Sequence, residues 1–229
     1  MKLLALDTAT EACSVALLVG ETVLTRYEEP GRGHAELILP MVDAVLLEGG
    51  LKLRDLDCLA VGRGPGAFTG VRIAISIAQG LAFGAELKVV PVSDLAALAQ
   101  RGVSDARTIL ACSDARMGEV YWAEFGVGKD GLVTAASPES LSRPEEVRVS
   151  VSGPWVAVGR GWAAYPQLAP RLNEGRDTSV TIHDSLLPRA QEIARLAVRG
   201  WHQGAGVPPE QALPVYLRDR VTHNLSQKT

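Results

Sequence analysis

Three cysteines, four histidines and an aromatic content of 5% are thin for a chain of 229 residues. Cys13, Cys58 and Cys112 are odd in number, far apart and each set in an apolar run. They predict buried free thiols in a reducing compartment, not disulfides or a zinc site. His34, His183, His202 and His223 are scattered along the chain, which leaves no convergent ligand set for a catalytic metal. A formal net charge of -3 provides no electrostatic footprint for unaided tRNA or DNA binding. No apolar run reaches the roughly 18 residues that span a bilayer. The opening Met1 to Asp7 meets charge too soon for a signal peptide and reads as a strand, so a cytoplasmic protein is expected. A hydrolase is disfavoured as well. Ser14, Ser76 and Ser93 sit in strand or helix patterns without a nucleophile elbow. Cys13 and Cys112 lie in strands whose apolar surroundings make a thiol inert.

Apolar residues, at 47%, are ample for a packed core, and charged residues make up 21%. The most distinctive stretch is Gly62-Arg63-Gly64-Pro65-Gly66-Ala67-Phe68-Thr69-Gly70-Val71-Arg72, between a short strand, Asp57 to Val61, and a helix, Val71 to Phe83. Its glycines open dihedrals closed to other residues and permit close backbone approach. Thr69 is the expected N-cap. A Gly-rich strand-to-helix turn can receive phosphate on its free N–H groups. This one lacks both the Lys-Ser/Thr of a P-loop and the spacing of a dinucleotide fingerprint, so phosphate binding and a purely structural turn both stay open. In the helix only Arg72, Ser76 and Gln79 are polar, one narrow stripe at i, i+4 and i+7. The apolar remainder exceeds what one sheet covers, which fits either a partner surface or a helix buried in its own domain.

In chain order, strands are expected at Lys2–Leu6, Ala12–Val19 and Glu21–Tyr27. A helix follows from His34 to Leu47, kinked or late because of Pro40. After the glycine turn and its helix come a strand at Lys88–Val92 and a short helix from a Ser93 cap to Arg101. This β-β-β-α-β-α-β-α order is a complete layered unit over residues 1–103. A smaller unit, 104–205, opens with strands at Thr108–Cys112, Glu119–Phe125 and Leu132–Ala135. It continues with a short helix at Ser142–Val147, a strand at Val156–Gly159 and a helical turn at Trp162–Tyr165. A polar loop over Arg171–Ser185 encloses a strand near Ser179–Ile182. Pro188 then opens an amphipathic helix carrying Ala190, Ile193, Ala194, Ala197 and Trp201. The tail, 206–229, is expected to pack on the body through Leu213–Arg218 and to fray over its last ten or so residues. Asp7 and Asp114 each follow the first strand of a unit, which hints at duplication.

Four blocks carry a specific resemblance: Leu4-Ala5-Leu6-Asp7-Thr8-Ala9-Thr10, Gly64 to Ile73, Asp114-Ala115-Arg116-Met117-Gly118-Glu119-Val120-Tyr121, and Pro214-Val215-Tyr216-Leu217-Arg218. Together they resemble the family of bacterial tRNA threonylcarbamoyladenosine biosynthesis proteins called TsaB, over almost the whole chain. The resemblance implies an α/β fold of two actin-like (ribonuclease H-like) lobes with mixed sheets and flanking helices. It implies a non-catalytic scaffold that works beside the catalytic subunit TsaD and the ATPase TsaE in modifying the adenosine next to the anticodon. It also implies pairing with the catalytic subunit, or with itself as a homodimer, through helices of the first lobe. tRNA would be met only through that complex. The catalytic relative's His-x-x-x-His metal motif corresponds here to Val92-Ser93-Asp94-Leu95-Ala96-Ala97-Leu98, without histidine.

Two sets of site residues follow. The expected partner face comprises Leu37, Met41 and Val45 with Gly70, Val71, Ala74, Ile77, Ala78 and Leu81. Gly70, Ala74 and Ala78 recur every four residues as a strip for close helix approach. The alternative function is a small ATP-dependent phosphotransferase of actin-like fold. For it, Asp7, standing where an actin-like ATPase holds the water shell of its magnesium, would join Thr8, Thr10 and Asp114 as nucleotide contacts. Against that, Ala9 replaces a glycine and no Gly-Gly pair follows Asp114. Weak nucleotide binding stays open, independent hydrolysis is not expected, and Asp7 serves equally well as a cap for its own turn.

Overall fold

In the computed structural model, residues 1–103, 108–150, 153–175 and 178–218 are described. β1 (Lys2–Asp7), β2 (Cys13–Val19) and β3 (Thr22–Glu28) form an antiparallel meander, which β4 (Cys58–Gly62) and β5 (Val89–Val92) extend in parallel beyond β1. Strand alternation divides this sheet into two apolar faces. Leu4 and Leu6 point to one side with Val15 and Leu17, and Leu3 and Ala5 to the other with Ala16. The first side is covered by α1 (His34–Glu48) and α2 (Phe68–Ala85). Pro40 neither delays nor ends α1, which begins at His34 and runs through it. α2 starts three residues earlier than the sequence suggests. Its N-cap is Ala67, with no side-chain cap, so Thr69 sits inside the first turn instead of capping it.

The second sheet repeats the first. β6 (Thr108–Arg116), β7 (Glu119–Val127) and β8 (Val133–Ala135) form a meander, and β10 (Trp155–Val158) and β11 (Val180–His183) run parallel to β6 on its other side. β9 (Ser140–Ser142) pairs with β7. The orders β3-β2-β1-β4-β5 and β8-β7-β6-β10-β11 match position by position, so the hinted duplication is a repeated topology. The outer face of this sheet lies under α4 (Gly161–Ala164) and α5 (Leu168–Asn173). Two local expectations fail there. The helix expected over Ser142–Val147 is the end of β9 plus a 3-10 turn at Pro144–Glu146. The segment read as loop from Arg171 begins inside α5, because Leu168, Ala169 and Leu172 bury against Trp155 and Trp162.

Two helices lie between the sheets, and each belongs in sequence to the other half. α3 (Asp94–Arg101), capped by the Ser93 hydroxyl as expected, packs on β6, β7 and β10. α6 (Ala190–His202) packs on β1, β2, β4 and β5. Leu95 and Leu98 meet Ile109, Ala111 and Phe125, while Ile193, Ala194 and Ala197 meet Leu3, Ala5 and Ala60. One apolar core thus joins the lobes. The expected boundary between 103 and 104 touches residues 104–107, outside the described residues, as do most of the last ten or so tail residues and His223.

The described part of the tail ties both halves together. Val207 bridges to Val89, and the Gln79 amide donates to the Ala212 carbonyl. The Val215 N–H donates to the Arg63 carbonyl at 2.8 Å, and Arg218 reaches Glu119 of the second lobe at 2.5 Å.

Candidate functional site

Where β1 ends, the chain turns through Thr8–Ala12 and meets the glycine loop backbone to backbone. The Ala67 N–H donates to the Ala9 carbonyl at 2.7 Å. The Thr8 hydroxyl, wholly buried, donates to the Gly70 carbonyl at 2.6 Å. A Cβ at Gly66 would collide with Ala9, and one at Gly70 would collide with the Thr8 carbonyl. The glycines are needed because the chain approaches itself. The Ala67 N–H and the Thr8 hydroxyl are thus spent inside the protein.

The matching turn of the second lobe joins β6 to β7. Arg116, Met117 and Gly118 all have positive φ, which gives a tight hairpin with Met117 exposed at its tip. Asp114 accepts from the Arg116 N–H at 2.8 Å and from its guanidinium at 2.9 Å. Arg116 also reaches Glu11 of the first-lobe turn at 2.9 Å. Arg160 pairs with Glu29 at 2.6 Å. The two turns and the tail enclose a cleft of about 680 Å³ lined by Thr8, Thr10, Glu11, Asp114, Tyr121 and Tyr216, among others. That volume suits a small molecule. Several polar groups along its wall, however, are committed to the chain itself. Thr10 uses its hydroxyl on the Ala12 N–H at 3.3 Å and its carbonyl on His34 Nε2 at 3.0 Å. Sequence reasoning missed Glu11, Glu29 and Arg160, because ion pairs between distant loops leave no local pattern.

Of the four residues weighed as nucleotide contacts, Thr8, Thr10 and Asp114 share the cleft wall, but Asp7 does not. Asp7 is wholly buried beneath the turn and accepts the Ala9 N–H at 2.8 Å, the geometry of a cap for its own turn. Its neighbour is Asp94, the first residue of α3, whose carboxylate accepts the Gly64 N–H. Burial pushes the Asp7 carboxyl up to about 6. Burial and the charge of Asp7 push Asp94 well above the ordinary carboxylate range. Asp94 escaped notice in the sequence because an acidic residue after a Ser N-cap is ordinary helix chemistry. Burial also pushes the Cys13 and Cys58 thiols up to about 12, and Cys112 higher still, which keeps them protonated and unreactive. Among the described residues no three His, Cys, Asp or Glu side chains gather as metal ligands.

The apolar surplus of α2 resolves into two faces. Gly70, Val71, Ala74 and Ala78, expected at a partner surface, are buried against β1 and β4, and Met41 and Val45 are buried under α1. Those six are corrected to core. Their small or compact side chains let the helices lie close to the sheet. Leu37, Ile77 and Leu81 are half-buried and reach the outside. The outer face adds residues not anticipated: Ser76, Gly80 and Gly84 form an exposed strip, with open space where a Cβ at either glycine would stand. Phe83 is 79% exposed on α2 and Leu47 85% exposed on α1. A shallow groove lined by Ala35, Phe68, Ile73, Ser76 and Ile77 opens where the two helices meet. At its edge the Arg72 guanidinium stacks 3.4 Å from the Phe68 ring and 5.1 Å from Tyr216 of the tail.

Comparison with known proteins gives this geometry a family. A family model described as "TsaD: tRNA N6-adenosine threonylcarbamoyltransferase" matches residues 27–221. The chain is 46% identical to the tRNA threonylcarbamoyladenosine biosynthesis protein TsaB of Escherichia coli K12, covering 96% of each chain. It is 40% identical to the Haemophilus influenzae protein of that name, over 97% of this chain and 95% of the relative. Among solved structures, YeaZ from Pseudomonas aeruginosa aligns with a TM-score of 0.87 at 46% identity, over 94% of this chain and 99% of that one. A second Pseudomonas aeruginosa structure is described as an uncharacterized protein with similarity to peptidase YEAZ and aligns equally well, at a TM-score of 0.87. The two repeated sheets with their flanking helices are the expected pair of actin-like lobes. The chain belongs to the TsaB family of tRNA threonylcarbamoyladenosine biosynthesis proteins.

Proposed function

We propose that this chain acts in the formation of threonylcarbamoyladenosine on tRNA as a non-catalytic subunit. In this reading it pairs through the outer face of α1 and α2 with a TsaD-type catalytic subunit, works beside a TsaE-type ATPase, and self-associates through the same face when that partner is lacking. The observation that carries the reading is the outer surface of α2. Half-buried Ile77 and Leu81 and exposed Phe83 flank a Ser76-Gly80-Gly84 strip that lets another helix approach closely. A related subunit presenting a similar helix pair would complete a four-helix contact. Burying roughly 800 Å² on each partner gives a specific interface of standard size.

The non-catalytic part of the reading is supported by the cleft. Its Thr8 hydroxyl and Ala67 N–H are consumed by the chain itself, and Asp7 lies beneath the wall. With a net charge of -3, the chain reaches tRNA only as part of the complex, in the cytoplasm where that substrate is. The test is reconstitution with the catalytic subunit, the ATPase, tRNA and threonylcarbamoyl-adenylate. Modification should require this chain, while the chain alone shows no magnesium-dependent ATP turnover. Turnover by the chain alone, abolished by Asp114→Asn, would favour the phosphotransferase instead.

A further inference from the structure

Asp7 and Asp94 form a buried carboxyl pair that the proposed function does not use. Each spends one oxygen on a backbone N–H: Asp7 Oδ1 on Ala9 and Asp94 Oδ2 on Gly64. The other two oxygens, Asp7 Oδ2 and Asp94 Oδ1, are buried without a donor. Both carboxyls press on Gly62, where a Cβ would collide with Asp94 and lie 2.9 Å from Asp7 Oδ1. Among the described residues no cationic side chain pairs with either carboxyl. Arg63, the nearest positive charge acting on Asp94, holds Glu139 with both terminal nitrogens at 3.1 and 3.2 Å. The Thr8 hydroxyl is committed to Gly70, His34 faces Thr10, and the Cys13 thiol beside Asp7 stays protonated. Two carboxylates within hydrogen-bonding reach of each other in an apolar setting cannot both ionise, and a proton held between them removes one charge and supplies the donor the pair lacks.

We propose that Asp7 and Asp94 share a single proton, and that this proton latches the Gly62–Gly70 loop and the start of α2 onto the end of β1. Asp94 holds the loop through Gly64, and Asp7 holds the turn through Ala9, whose carbonyl takes the Ala67 N–H at the base of α2. Losing the proton sets two buried like charges against each other where loop, turn and α3 meet, so the loop loosens as pH rises. The sign follows from the direction of both shifts. The folded pair binds its last proton more tightly than the open or unfolded chain, so the latch is strongest in the ordinary carboxylate range and weakens steadily as pH rises above it. It is lost only when Asp94, pushed well above that range, gives up the proton.

The test is amide hydrogen exchange at Gly64 and Ala67 in the whole chain, corrected for intrinsic base catalysis, from pH 6 to 9, with carbon-13 detection of aspartate carboxyls. The wild type should show a protonated aspartate carboxyl at pH 7, and its loop-opening constant should rise about tenfold per pH unit while one proton is released on opening. In Asp94→Asn the amide replaces the shared proton with a permanent donor and keeps an acceptor for Gly64. That variant should show no protonated aspartate at pH 7 and flat loop opening across the range. Should it fail to fold, the wild-type carboxyl titration and exchange slope decide alone. Fully ionised aspartates at pH 7, or a loop-opening constant independent of pH in the wild type, would overturn the proposal.

Discussion

Both faces of α2 carry apolar residues, yet only one of them is buried in the chain's own core. The inner face is built from Gly70, Val71, Ala74, Ala78, Ala82 and Ala85, all buried. The outer face carries Ile73, Ile77, Leu81 and Phe83 around Ser76, Gly80 and Gly84, half-buried or exposed. Small residues occur on both, but their surroundings differ. A Cβ at Gly70 would collide with Thr8, whereas one at Gly80 or Gly84 would meet nothing within 4 Å. A four-residue spacing of small side chains therefore signals close approach without saying to what. Here one copy of the pattern lies against the chain's own sheet, and the other faces outward.

The largest expected effect comes from charging the inner face. Ala74 is 0% exposed, so Ala74→Glu buries an unpaired carboxylate at a cost of several kcal/mol. That is a large share of the 5–15 kcal/mol typical of a domain, and thermal denaturation followed by circular dichroism should show an unfolded or barely folded chain. A native-like melt would mean that Ala74 reaches solvent. Next comes Gly70→Ala, whose methyl must displace the Thr8 carbonyl. It should lower stability by about 1–3 kcal/mol in chemical denaturation, an overpacking cost that the gain in helix propensity only partly offsets. Gly80→Ala should act with the opposite sign. It adds a methyl in open space to an exposed helix position and should stabilise the isolated chain by about 0.5–1 kcal/mol. The same methyl should weaken pairing with the catalytic subunit. Equal loss of stability in the two glycine variants would erase the distinction between the faces.

Much of this was legible in the sequence. The strand alternation, the Ser93 cap and the Pro188-led amphipathic helix emerged close to their expected limits, because each rests on local periodicity or capping. So did the importance of the glycine loop. The Arg72-Ser76-Gln79 stripe marks the outward side of α2, but the division of its apolar residues between core and surface was not legible, because they cover the rest of the helix without a break. Nor was the exchange of α3 and α6 between the sheets, a consequence of packing two repeated units face to face. Asp94 looked like a first-turn acidic residue, and only its distance-independent partner in β1 shows the pair. Arg116, Glu11 and Arg160 stand far apart in the chain, and only folding makes them neighbours.

The central claim is that the outer face of α2, and not its inner one, receives the catalytic subunit. Sedimentation velocity of the chain mixed with a TsaD-type subunit at micromolar concentration tests it most directly, comparing wild type with Ile77→Glu and Phe83→Glu. Both variants should keep wild-type circular dichroism, because Ile77 is half-buried and Phe83 79% exposed. The wild type should sediment as a complex and the variants as separate subunits. Folded variants that still co-sediment with the catalytic subunit at wild-type affinity would place the interface elsewhere and contradict the account.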